Sequence, residues 1–188
     1  PALADQAAVI MIARADLPVT PETRPLLLDG LQAALRVPRG DAWLGRVLLE
    51  IPAKVRRRRQ REIGDLALDK CIRPTPPAQP TDPAPKDYYA FALRFGEGFP
   101  EVYADWAARL WQAGKRPEAV DCATLAGRRA GDNRPRLLAA CRQLEDFGRP
   151  DLERELLEST LRVRAVPSDR DLHLAYLGLL ARQQRTEP

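Results

Sequence analysis

Between Pro74 and Pro85 the chain reads PTPPAQPTDPAP, six prolines in twelve residues. Proline fixes φ and lacks a backbone donor, so neither a helix interior nor a central strand can run through such a stretch, and an extended course is expected. The segment reads as a linker, with an N-terminal helical segment over 1–73 and a second domain over 86–188. The 188 residues are 45% hydrophobic and 30% charged, a balance that supports one or two folded cores and excludes a chain disordered throughout. Nowhere do about 18 consecutive apolar residues occur, so no membrane-spanning helix is expected.

Outside that segment apolar residues recur three and four apart without sustained alternation, and turns fall at Gly and Pro, which predicts an all-α protein. Four helices are expected before the linker. The first covers Leu3 to Ala15. The second has Thr20 as N-cap, Pro21 at the first helical position and an apolar face from Leu26 to Leu35. The third runs from Asp41 to Ile51. The fourth runs from Ala53 to Ile72, with Gly64 weakening its middle. After the linker a helix at Lys86–Phe95 carries Tyr88, Tyr89, Phe91 and Phe95, and FGEGFP breaks it.

Beyond Pro100 the chain repeats itself. The turns at Gly114 and Gly148 lie 34 residues apart, and Tyr103/Leu137, Ala107/Cys141, Leu110/Leu144 and Ala123/Leu157 follow the same offset. A short helical hairpin cannot bury its apolar face alone and stacks on a like neighbour. With Tyr103, Trp106-Ala107, Leu110, Gly114, Ala119, Ala123 and Ala126 in order, the segment over about 100–182 resembles the tetratricopeptide repeat. The second unit departs from it, with Glu153 and Thr160 where two alanines are expected. A third, partial unit has Leu174-Ala175 in register on a terminal helix from Asp169 to Arg182. The resemblance implies a short solenoid of helical hairpins, with the N-terminal segment either more of the same stack or a separate four-helix bundle.

The residues carry little chemistry. Cys71, Cys122 and Cys141 are widely spaced with no CxxC pair, and His173 is the single histidine, so neither metal site nor disulfide framework is expected. Ser159 and Ser168 have no adjacent base, phosphate-binding glycine loops are missing, and Glu153, Glu155 and Glu158 around Arg154 read as an exposed, salt-bridged surface. No catalytic residue and no cofactor are predicted.

Two surfaces remain. The resemblance implies a concave, partner-binding face at Glu101, Ala104, Ala108, Trp111 and Gln112, continued by Leu138, Arg142, Glu145 and Asp146. Trp111 stands out there, because Trp106 already fills the core position; it either anchors a partner or packs on the Lys86–Phe95 helix. The second surface is KVRRRRQR, where Lys54, Arg56, Arg57, Arg58, Arg59 and Arg61 could meet anionic membrane or nucleic acid. With no aromatics interleaved and a net charge of only +4, nucleic acid is disfavoured.

The expected function is a non-catalytic protein-protein scaffold or adaptor. An anionic-surface binder, or a soluble regulatory domain of a membrane-bound polysaccharide or glycosylation machine, are the alternatives. Only four of the thirty basic residues are Lys, a composition expected of a GC-rich bacterial source. Pro1 reads as a boundary, which leaves open a signal or membrane anchor upstream. Unpaired cysteines favour the cytoplasm; tethering through a preceding segment and a periplasmic location are the alternatives.

Overall fold

Ten helices make up a computed structural model that describes residues 3–14, 16–37, 40–74, 82–95, 99–130, 133–163 and 170–186, with no strand among them. They are α1 (Leu3–Ala13), α2 (Arg24–Arg36), α3 (Gly40–Leu49), α4 (Ala53–Ile72), α5 (Pro85–Phe95), α6 (Pro100–Gln112), α7 (Arg116–Ala130), α8 (Arg134–Asp146), α9 (Pro150–Val163) and α10 (Arg170–Thr186). The protein is all-α. Contacts cluster into two compact units, Pro1–Gly96 and Glu97–Pro188.

That division corrects the boundary expected at the Pro-rich run. Tyr88, Phe91, Ala92 and Phe95, spaced as one face of α5, are all buried, and α4 and α5 are the most closely packed pair of the first unit. The run therefore joins two helices of one unit. Residues 75–81 lie outside those described, but Asp82, at the far end, is nearly buried and holds α2: it accepts from Gln32 Nε2 at 3.0 Å and forms an ion pair with Arg36.

The start of α2 also differs from expectation. Thr20 and Thr23 bond reciprocally, Thr20 N–H to Thr23 Oγ1 at 2.9 Å and Thr23 N–H to Thr20 Oγ1 at 3.3 Å. This pair closes residues 20–23 into a turn, and the helix proper starts at Arg24 with Pro25 in its first turn. In α4 the glycine at 64 is buried and the helix continues through it for all 20 residues.

In the first unit, Arg59 is the largest polar side chain buried among the described residues, only 1% exposed. Its Nε donates to Ile12 O at 2.8 Å, and Nη1 donates to Leu17 O at 3.0 Å and to Glu62 Oε2 at 2.9 Å. Ile12 belongs to the last turn of α1, whose carbonyls have no partner within the helix, so Arg59 caps α1 and ties it to α4.

The second unit keeps the 34-residue offset in its backbone. Helices α6 and α8 start 34 residues apart, as do α7 and α9. Gly114 and Gly148 hold φ of +76° and +64°. Each turn closes with the same bonds: Gly114 N–H to Trp111 O at 3.0 Å and Lys115 N–H to Leu110 O at 2.9 Å, then Gly148 N–H to Glu145 O at 2.8 Å and Arg149 N–H to Leu144 O at 2.9 Å. This is the glycine-dependent helix stop in which two late carbonyls are satisfied beyond the helix end.

The hairpins differ in how tightly they close. Helices α6 and α7 pack most closely in the unit, with Trp106, Ala107, Ala119, Ala123 and Ala126 wholly buried. In α8 and α9 the equivalent places carry Cys141, Glu153, Leu157 and Thr160, and this pair packs less closely because bulk replaces alanine. Helix α9 turns instead to α7. Gly127 of α7 lies so near α9 that a Cβ there would overlap Leu156 O and Ser159 Oγ, and Ser159 Oγ donates to Thr124 O at 3.2 Å across the crossing.

Candidate functional site

The stripe that α6 turns to solvent lies beside the one expected. Ala104 and Ala108 are fully buried, whereas Glu101, Asp105, Arg109 and Gln112, spaced at helical intervals, keep surface, as does Trp111. The predicted partner-binding set therefore loses Ala104 and Ala108. Alanine lets a helix approach its neighbours closely, which is why these positions belong to packing. Glu101 Oε1 reaches Arg136 Nε of α8 at 3.8 Å, and Asp105 pairs with Arg109 one turn on. Sequence reasoning missed Asp105 and Arg109; their spacing from Glu101 was the available signal.

Trp111 is half-buried, and the Arg116 guanidinium stands 5.2 Å from its ring centroid. That cation–π contact crosses the Gly114 turn, so Trp111, exposed Gln112 and Arg116 share one end of the first hairpin. On α8, Leu138 is partly exposed, whereas Arg142, Glu145 and Asp146 are exposed.

Helix α10 corrects the register of the third unit. Leu172 and Leu179 are buried, but Leu174 and Leu177 are 53% and 58% exposed. By the 34-residue offset Leu174 corresponds to Trp106 and Ala140, both fully buried. The same holds one turn later: Gly178 corresponds to buried Leu110 and Leu144, and a Cβ placed on it would meet nothing within 4 Å. The face that α6 and α8 bury is open on α10 at Leu174 and only partly covered at Ala175 and Gly178.

Polar contacts also hold α10, beside buried Leu172 and Leu179. Arg182 Nη1 pairs with Glu145 at 3.1 Å and Nη2 with Glu153 at 3.2 Å, and Tyr176 Oη donates to Glu158 at 3.0 Å. Glu153, read as a surface residue, is buried; burial raises its carboxyl pKa, with Arg182 pulling the other way and Glu145 adding to the rise. Nearby Cys141 is buried, its thiol pushed up to about 12 by that burial. It has the character of a small packing residue, far from a nucleophile. His173 lies on the exposed side of α10, and Asp169 lies outside the described residues.

Of the basic set in α4, Lys54, Arg57, Arg58 and Arg61 are exposed and Arg56 partly so, whereas Arg59 is internal and leaves the anionic-surface set. No group of three or more potential metal ligands occurs among the described residues. A small open pocket lined by Arg24, Leu28, Asp69, Lys70 and Arg73 contains an Arg24–Asp69 pair at 2.6 Å and has no serine, threonine, cysteine or histidine in its lining. No described helix is long and apolar enough to cross a membrane. No family model, curated protein or solved structure matches the chain.

Proposed function

We propose that the chain is a non-catalytic protein-interaction module, a scaffold or adaptor built of tetratricopeptide-like hairpins, whose second unit accepts an amphipathic helix of a partner protein. One observation carries this reading: Leu174 lies bare at a register position that the two preceding units bury, and Leu177 is exposed one turn on. A helix face that only met water would carry polar residues there, since stacked repeats need a polar outer face for solubility. A helix of the partner would cover α10 as α7 covers α6. Its polar flank would be acidic, because exposed Arg170 and His173 border the leucines. Trp111 with Arg116 offers a second anchor of the type enriched at interfaces.

A photo-crosslinking residue at position 177, expressed in the producing cell, should capture one partner protein. Leu174→Asp in the same chain should abolish the capture with helical circular dichroism unchanged. Equal capture from position 128, exposed on α7, or capture that survives Leu174→Asp, would overturn the reading.

A further inference from the structure

The first half of α4 separates its charges by face. At about 100° per residue, Lys54, Arg57, Arg58 and Arg61 share one side of the helix, and Arg59, Ile63 and Leu66 share the other. The first group is exposed and the second buried. Arg58 and Arg61 reach Glu62 and Asp65 only at 3.6 and 3.9 Å, and both guanidinium side chains keep more than half their surface in water.

Immediately before this face the chain turns a corner between α3 and α4, where Leu49, Glu50, Pro52 and Ala53 are all exposed. Leu49, at 64%, is the most exposed large aliphatic side chain among the described residues. Exposure runs on from this corner through Pro52 and Ala53 to Lys54, the first of the cations, and Arg56 Nη1, from another side of the helix, donates to Leu49 O at 3.3 Å and ties the backbone of the corner to the first turn of α4.

A cationic face alone is equally consistent with a solvated surface. A bare leucine beside it narrows the choice, because a phosphodiester backbone offers an aliphatic chain nothing, whereas a bilayer interface takes both: phosphates meet the cations and the acyl boundary takes the leucine. Arginine, which makes up three of the four cations, also matches a phosphate with two parallel bonds where lysine makes a point contact. No aromatic residue stands between 54 and 61 to stack on a base.

We infer that the α3–α4 corner docks on an anionic lipid bilayer, with Leu49 at the boundary of headgroup and acyl chain and Lys54, Arg57, Arg58 and Arg61 against headgroup phosphates. Glu50, Glu62 and Asp65 temper the face, so attachment is reversible and needs both the cations and the leucine. This surface lies in the first unit and is independent of the helix-accepting face of α10.

The test is cosedimentation of the full chain with vesicles of phosphatidylcholine alone, or with roughly one-third phosphatidylglycerol, at low and high salt. Binding should require the anionic lipid. Arg57→Glu with Arg61→Glu should lower the partition coefficient at least about tenfold, and Leu49→Ser by about tenfold. The arginine contribution should shrink at high salt while the leucine contribution persists. Circular dichroism establishes that each variant is folded, and Arg59 is left intact because it is internal. No binding to anionic vesicles, equal binding to neutral ones, or a folded Leu49→Ser variant that binds like the unsubstituted chain would each overturn the inference. Displacement from vesicles by a DNA duplex that binds the Leu49→Ser variant undiminished would assign the face to nucleic acid instead.

Discussion

Replacing Gly127 by alanine adds one carbon at the crossing of α7 and α9, and that carbon has nowhere to go. Thr160 Oγ1 would stand 2.7 Å from it, and Leu156 O and Ser159 Oγ would overlap it. The two hydroxyls can rotate away, but Leu156 O is backbone and fixed by its helix. Ordinary contact lies near 3.5 Å, so α9 must withdraw by about 1 Å along the crossing. Overpacking of that size costs about 1–3 kcal/mol, and the Ser159–Thr124 hydrogen bond, stretched beyond use, adds about 1 kcal/mol. Alanine returns about 1 kcal/mol through helix propensity. The net is a loss of about 2 kcal/mol, or about 10 °C in Tm for a unit of this size. Gly178→Ala in α10 is the control: it meets nothing within 4 Å and should stabilise by about 0.5–1 kcal/mol through propensity alone. Thermal melts followed by circular dichroism measure both. If Gly127→Ala also stabilises, the close approach of α7 and α9 is wrong, and with it the account of why the second hairpin opens.

Other outcomes follow from single residues. Gly114→Val and Gly148→Val should each cost about 1–2 kcal/mol in urea unfolding, because both backbones hold positive φ, while asparagine at either place should cost less. Arg59→Met strips donors from Ile12 O and Leu17 O and should destabilise the first unit by about 2–4 kcal/mol; a neutral result would mean the buried guanidinium is dispensable. Cys141, with its thiol near 12, should react with a thiol reagent at pH 8 only as fast as the unit unfolds. For Glu153 the folded-state pKa lies above the unfolded value, so its contribution to stability is fully present below the ordinary carboxyl range and is lost as pH rises through the raised value. Glu153→Gln should therefore be more stable than the parent at neutral pH, with the difference vanishing in acid.

Element type was legible almost throughout, since apolar spacing of three and four with glycine and proline stops leaves few alternatives to helix. The bounds of α4 were readable to the residue because Pro52 stands at one end and Pro74 near the other. The start of α2 was not, because Thr20 and Pro21 look like a cap and first turn in isolation, and only the reciprocal bonds of Thr20 and Thr23 tie them into a separate turn. The domain boundary was misread for a related reason: proline content reports local stiffness, but says nothing of whether the helices on either side bury against each other, which α4 and α5 do. Arg59 was indistinguishable from its neighbours in a run of four arginines, since burial depends on helix phase and on an acceptor 47 residues away. The offset of 34 was visible in the turn glycines, whose conformation demands that residue. The bare face of α10 was not, because Leu174 in a sequence looks the same whether or not a helix covers it.

The attachment of α10 has a consequence for how the second unit opens. Helix α9 has neighbours on both sides, whereas α10 rests on α9 through Leu172 and Leu179 and on Arg182 bridging to Glu145 and Glu153. A helix with few packing partners opens at a lower free energy than one packed between several. Amide protons of α10 should exchange with solvent as an early cooperative group, ahead of those of α7. A helix in that condition can be held or released by whatever binds it, at little expense to the core behind.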